Sequence, residues 1–371
     1  LVTLVLILLL TACGGSSSKR SEQSPEDLLK PLPQAPLIKR NAAYVAPRQC
    51  TISAKLVPSC GVLWGAAVNP EWDKGEDWDS AFSAFTTRTG RPLDVAHRFY
   101  AGDQLFPDAG ELRRARQPGG AKVFFFNWKP APELDFAAVA SGAVDDRIDR
   151  EAAYLNQHVK RPFFLTINHE PEDLIDETPG SGNSAADFRA MFRHVVERLR
   201  GQGVSRMVSV VTYRGNPAYA ARPWFEGLYP GDDVVDWIAF DPYVFPASGW
   251  DQPFPKALDR KSGGPRGWPG FYTWAVRTHP GKPIMLGEWG ISQFFDDSRV
   301  VSQIDDVRRT LRTHSSLKAL IYWDTLEVGT IGPTQMNNRI RRRAFAELAS
   351  STEVTGSPRD PQASSMPGRS P

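Results

Sequence analysis

An α/β fold closed into a (β/α)8 TIM barrel is what the sequence predicts, and three observations predict it. Eight short apolar runs alternate with helix-period segments between about residues 60 and 348. Several of the runs, among them VFFF, FFL and MVSVV, are apolar on both faces, as parallel strands buried on both sides must be. No GxGxxG follows the first run, so the signature of a dinucleotide-binding doubly wound sheet is missing. The 371 residues, 41% hydrophobic and 23% charged, are enough for one barrel of about 250 residues or more with a real core. That composition excludes a wholly disordered chain and a polytopic membrane protein.

The predicted strands run Gly61–Val68, Leu93–Tyr100, Ala121–Asn127, Pro162–Asn168, Ser205–Thr212, Val234–Phe240, Pro283–Gly287 and Lys318–Trp323. Between them, Ala185–Leu199 places Phe188, Phe192, Val195, Val196 and Leu199 on one side with Arg and Glu opposite. Val300–Leu311 sets Val300, Ile304, Val307 and Leu311 at helical intervals. This rhythm covers residues 49–348 as one domain.

A barrel of this kind gathers its chemistry at the C-terminal strand ends. Those ends carry Trp64, His97-Arg98 with Tyr100, Asn127-Trp128, Asn168-His169-Glu170, Tyr213, Asp241 with Tyr243, Glu288-Trp289 and Trp323-Asp324. Interior packing needs aliphatic side chains, so polar and aromatic groups collected at one rim read as a sugar-binding cleft. Cleaving a glycosidic bond takes two carboxyl groups, one to protonate the leaving oxygen and one to attack the anomeric carbon or activate water. Glu170 and Glu288, at the ends of the fourth and seventh strands, face across one mouth. Glu170 is expected to have a raised pKa, and Glu288 to stay ionised with help from the Tyr243 hydroxyl or the Arg98 charge. His169 is placed to orient Glu170 or to meet a sugar hydroxyl. Trp128, Trp289 and Trp323 are the candidate stacking platforms. His97 is a candidate sugar contact and Arg98 a candidate carboxylate-orienting group, although alternation along a strand lets only one of the two face the mouth. Trp250 and Trp268 bracket a long Gly/Pro-rich segment after the sixth strand, a candidate to wall the cleft or to form distal subsites.

The runs LTINHEPE (Leu165–Glu172), IAFDPY (Ile238–Tyr243) and IMLGEWG (Ile284–Gly290) resemble glycoside hydrolase family 26, in the retaining clan of barrel glycosidases, over about residues 60 to 348. The resemblance implies that Glu170 is the general acid/base, Glu288 the nucleophile, His169 the histidine beside the acid/base, and Tyr243 the tyrosine that contacts the nucleophile. It implies a sugar-stacking role for Trp323. The implied activity is retaining endo-hydrolysis of a β-linked polysaccharide, β-mannan first, with mixed-linkage β-glucan and β-1,3-xylan as alternatives. Mannanases of the family usually continue the histidine-glutamate pair with Met-Asn or similar, and here Pro171-Glu172 follows, which weakens the case for mannan. A carbohydrate-binding lipoprotein without turnover is the reading from another class, and the presence of both carboxylates stands against it.

The chain ends carry separate signals. Residues 1–12 read as a secretory leader, too short and too small-residue-bounded for a spanning helix, and entered part-way because no Met or basic region precedes Leu1. Cys13, directly after Leu10-Thr11-Ala12, resembles the acylated cysteine of a bacterial lipobox. The expected location is therefore extracytoplasmic, tied to the bacterial membrane lipid bilayer through Cys13. Residues 13–48 form a polar, proline-dotted tether and residues 349–371 a disordered tail. Export makes a Cys50–Cys60 disulfide plausible, closing about ten residues. No metal is expected: six histidines form no HExxH, and no four-ligand zinc spacing surrounds the cysteines. No cofactor is called for. Lys+Arg 44 against Asp+Glu 42 leaves +2, without a basic aromatic groove for nucleic acid.

Overall fold

Parallel pairing runs right round the sheet. β1 (Leu63–Val68) pairs with β2 (Val95–Ala101), followed in order by β3 (Val123–Lys129), β4 (Phe163–Ile167), β5 (Met207–Tyr213) and β6 (Trp237–Phe240). The two-residue β7 (Tyr243–Val244) sits above β6 and pairs only with the upper end of β8 (Ile284–Ile291). β6 itself pairs with β8, β8 with β9 (Leu317–Asp324), and β9 with β1, so eight staves close the barrel. The computed structural model describes residues 50–69, 77–262, 267–327 and 329–354. The leader, Cys13, the tether to residue 49 and the tail beyond 354 lie outside the described residues. Among the described residues no helix is long and apolar enough to cross a membrane.

Side chains alternate along each stave, and the alternation divides the core in two. Leu63, Val95, Phe125, Phe164, Trp237, Met285 and Ile321 point inward and fill the barrel. The intervening residues, such as Phe126, Leu165, Val211 and Leu286, point outward and pack under the helices. The helix Ala185–Gly201 begins with a reciprocal capping box between Ser184 and Asp187, and buries Phe188, Phe192, Val195, Val196 and Leu199. The helix Asp297–Thr313 buries Val300, Ile304 and Val307. Each fully buried aliphatic or aromatic side chain contributes about 1.5–3 kcal/mol relative to exposure.

A bulge breaks the alternation at one place that matters. Leu286 pairs with Leu320 but Trp289 pairs with Tyr322, so β8 spends three residues where β9 spends two. The extra residue turns Glu288 into the mouth and sends Trp289 to the outside.

The lower end of the barrel is stoppered by residues 50–60. Cys50 is disulfide-bonded to Cys60 with a Cα separation of 5.6 Å, and Ile52 bridges Pro58 inside the loop. Leu56 enters the barrel-interior cluster, and Trp237 Nε1 donates to the Lys55 carbonyl at 2.7 Å. The disulfide therefore staples a plug opposite the mouth, where it leaves the strand ends open.

Candidate active site

The inward row at the upper ends of the staves supplies Phe99, Asn127, Thr212, Asp241, Glu288 and Trp323. The turn after β4 adds His169 and Glu170. That turn is unusual, because Asn168 (φ 49°) and Glu170 (φ 52°) are both left-handed without being glycine. Such residues cost on the order of 1–3 kcal/mol each and persist where their surroundings hold them. Here Asn168 N–H donates to the Trp128 carbonyl at 3.0 Å, Glu170 N–H to the Thr212 carbonyl at 3.1 Å, and His169 N–H to Asn127 Oδ1 at 3.4 Å.

Asp241 and Glu288 anchor the other side. The Glu288 N–H donates to Asp241 Oδ1 at 2.7 Å, and Tyr243 Oη donates to Glu288 Oε2 at 2.5 Å. Pairing of β7 with Gly290 and Ile291 is what brings the tyrosine to the carboxylate. His169 lies between two acids, with Nε2 2.5 Å from Asp241 Oδ2 and Nδ1 3.6 Å from Glu288 Oε1. Gly287 makes room for this assembly: a Cβ there would lie 2.8 Å from Thr212 Cγ2 and 2.9 Å from Asp241 Oδ1.

Charge in this pocket is almost all acidic. Burial pushes the Asp241 carboxyl well up, and the Glu170 charge and a hydrogen bond with Glu170 push the same way. Burial also raises Glu288; His169 and the Tyr243 hydroxyl oppose the shift, while Asp241 and Glu170 add to it. Because β8 buries the carboxyl, Glu288 is pushed up to about 8, against the expectation that it stays ionised. His169, Glu170 and Asp241 offer ligand atoms within 4.8 Å of one another.

The other predicted residues divide by strand parity. Arg98 points outward, paired with Asp108 and 3.7 Å from Glu111, and stacked at 4.5 Å over Trp78. It does not orient a rim carboxylate. His97 points inward but one layer too deep: it is fully buried, stacked 4.0 Å from Phe125, with its ring 5.9 Å from His169. Burial and the neighbouring His169 hold its imidazole well below the usual range, so it is a neutral floor under His169 and not a sugar contact. Trp128 and Trp289 are fully buried in the outer layer, Trp128 with Nε1 donating to the Gly102 carbonyl at 3.2 Å, and Trp289 among Trp64, Phe254 and Tyr322. Neither has a free face for a sugar. Trp323 is inward and partly exposed, edge-on to Phe99 at 5.9 Å. Trp250 is partly exposed and stacks on Phe245 at 5.0 Å, whereas Trp268 is buried.

Asp241 and Phe99 are the residues that strand-end reading underweighted. Phe99 shares parity with His97, and Asp241 sits two residues before Tyr243 in the run already singled out. Parity was the available signal for the first, whereas the bonds that make Asp241 central are purely tertiary.

No family model matches the chain. It is 28% identical over 209 residues to a β-1,3-xylanase from a Vibrio species, covering 54% of this chain and 42% of that protein. It is 24% identical over 175 residues to endoglucanase H of Acetivibrio thermocellus, covering 46% of this chain and 19% of that protein. The chain thus matches less than half the length of these curated relatives. Among solved structures, the family 26 β-mannanase from Bacteroides ovatus superposes with a TM-score of 0.53 at 17% identity, over 80% of this chain and 91% of that one. The fold is that of the family 26 barrels, as the three sequence runs implied.

Proposed function

We propose that the protein is a β-glycan hydrolase of the glycoside hydrolase family 26 type, acting by retention within the polysaccharide chain. One observation carries the reading: Glu288 is clamped by Tyr243 and Asp241 at the end of β8, facing the His169–Glu170 turn across a mouth edged by Phe99 and Trp323. In the first step the Glu288 carboxylate attacks the anomeric carbon, the glycosidic C–O bond breaks, and Glu170 gives its proton to the departing oxygen. In the second, Glu170 takes a proton from water, the water oxygen attacks the same carbon, and Glu288 leaves. The Tyr243 hydroxyl favours the ionised form of Glu288 that this chemistry starts from.

For the substrate, the sequence likeness points to β-1,3-xylan and the structural likeness to β-mannan. The sequence match favours the xylan, since the mannanases share the barrel at identities too low to carry more than fold. The test incubates the protein with β-1,3-xylan, β-mannan and mixed-linkage β-glucan, and follows product length and anomeric configuration by NMR. The expected result is initial release of the β-anomer, lost in Glu288→Ala. Initial release of the α-anomer would remove the retaining mechanism, and binding without products from any glycan would favour a non-catalytic carbohydrate-binding protein.

The proposal extends to place: an exported enzyme held to the bacterial membrane by acylation of Cys13, supported by the apolar leader and small residues ahead of that cysteine. Radiolabelled palmitate is expected on the wild type and not on Cys13→Ser. Equal labelling of the two would sink the anchor.

A further inference from the structure

Glu172 is a buried acid that the proposed chemistry does not use. It stands two residues after Glu170, in the short 3-10 helix Pro171–Leu174, at 2% exposure. Its Oε1 accepts the Arg214 N–H at 2.9 Å, and its Oε2 is buried without a hydrogen-bond partner. No lysine or arginine side chain pairs with Glu172 among the described ion pairs. Beside it, the exposed Asp173 holds the same exit of β5, paired with the Arg214 guanidinium and accepting from Tyr219 Oη at 2.9 Å.

These contacts have a common geometry. Glu170 N–H bonds Thr212 and Glu172 bonds Arg214, so the left-handed turn is fastened to successive points at the end of β5. We propose that Glu172 is a positioning residue for Glu170, its carboxyl oxygen on the Arg214 amide fixing the turn that aims the acid/base at the leaving oxygen. This rests on the glycosidase reading above. Burying a carboxyl with one oxygen unpartnered is costly for stability alone. A turn that must hold two residues in the left-handed region, with its acid aligned, gives that cost a function. Burial pushes the Glu172 pKa up to about 8, so near neutral pH it holds the strap as an uncharged acid and adds little repulsion to Glu170. Glutamine can make the same bond, whereas methionine fills the space without an acceptor and aspartate is one methylene short.

The test compares Glu172→Gln, Glu172→Met and Glu172→Asp on the hydrolysed glycan and on a dinitrophenyl β-glycoside of the same sugar, whose leaving group departs without protonation. Glu172→Met is expected to lose roughly ten- to a hundred-fold in kcat on the glycan with KM little changed, since misplacing a catalytic group by about 1 Å can cost that much. It should lose almost nothing in kcat/KM on the dinitrophenyl substrate, and Glu172→Gln should stay within about three-fold of wild type on both. Equal losses on both substrates, no loss in Glu172→Met, or a Glu172→Gln variant as impaired as Glu172→Met would overturn the proposal. If Glu172→Met does not fold, Glu172→Asp takes its place with the same expectations. If the wild type cleaves no glycan, the glycosidase reading fails by itself. Hydrogen exchange at the Arg214 and Glu170 amides then decides the strap: faster exchange in Glu172→Met and Glu172→Asp, with wild-type protection in Glu172→Gln, upholds it, and equal protection in all refutes it.

Discussion

A single residue's parity decides whether an aromatic at the rim meets sugar or core. Trp323 and Trp289 both close a stave, and the sequence presents them alike. Yet Trp323 faces the mouth beside Phe99, whereas Trp289 is sealed among Trp64, Phe254 and Tyr322. Their truncations should therefore separate. Trp323→Ala is expected to raise KM for the glycan with little change in melting temperature. Trp289→Ala should cost about 3–5 kcal/mol of stability, the usual range for emptying a buried aromatic site. Steady-state kinetics and thermal unfolding of both variants check this, and a KM effect confined to Trp289→Ala would reverse the assignment. His97, Arg98 and Trp128 teach the same lesson, since alternation was legible for each while the depth and face it led to were not.

At the scale of the element, β8 owes its function to one irregular step. Regular alternation from Met285 would carry Gly287 and Trp289 inward and turn Glu288 out. The extra residue against β9 leaves Gly287 inward, turns Glu288 in under Tyr243 and Asp241, and sends Trp289 out. Gly287 lets the step pack, because Thr212, Ala239 and Asp241 already occupy the space of a side chain. Gly287→Ala is expected to destabilise the protein by about 1–3 kcal/mol through overpacking. It should lose activity beyond what the stability change explains, because one of the two atoms closest to the added methyl belongs to the Asp241 carboxylate. Denaturant unfolding beside kcat measures both, and an Ala variant with wild-type kcat would show that the close packing is slack. The turn after β4 is the complementary device. It spends two left-handed residues to bring His169 and Glu170 to the same mouth, and β3 and β5 hold it there.

Across the whole molecule, buried carboxyls link stability to pH. Glu151, on the helix Asp145–His158, accepts the Phe106 N–H at 3.4 Å, and burial raises its pKa from 4.5 to about 8. The folded state then holds a proton that the unfolded chain releases near its ordinary carboxyl range. Between those limits the native state binds more protons, so stability falls as pH climbs from about 4.5 to about 8. Glu151→Gln is expected to reduce the pH dependence of the urea midpoint over that window, to which Glu172 and Glu288 also contribute, and an unchanged slope would remove Glu151 as a contributor. The disulfide-stapled plug acts at the same scale by closing the end of the barrel where no chemistry occurs.

The sequence by itself determined the class of fold. Two-sided apolar runs suit parallel staves buried between helices, and eight of them in this rhythm, with no GxGxxG after the first, fit a closed barrel. It also determined which stretches form the rim, because a strand end followed by polar and aromatic residues is legible locally. Only the tertiary structure decided which rim residues converge. The bulge in β8, the left-handed turn after β4 and the bonds of Asp241 all depend on partners from other staves. Proton placement depends on them too, since desolvation and neighbouring charge belong to the assembled pocket and not to any residue alone.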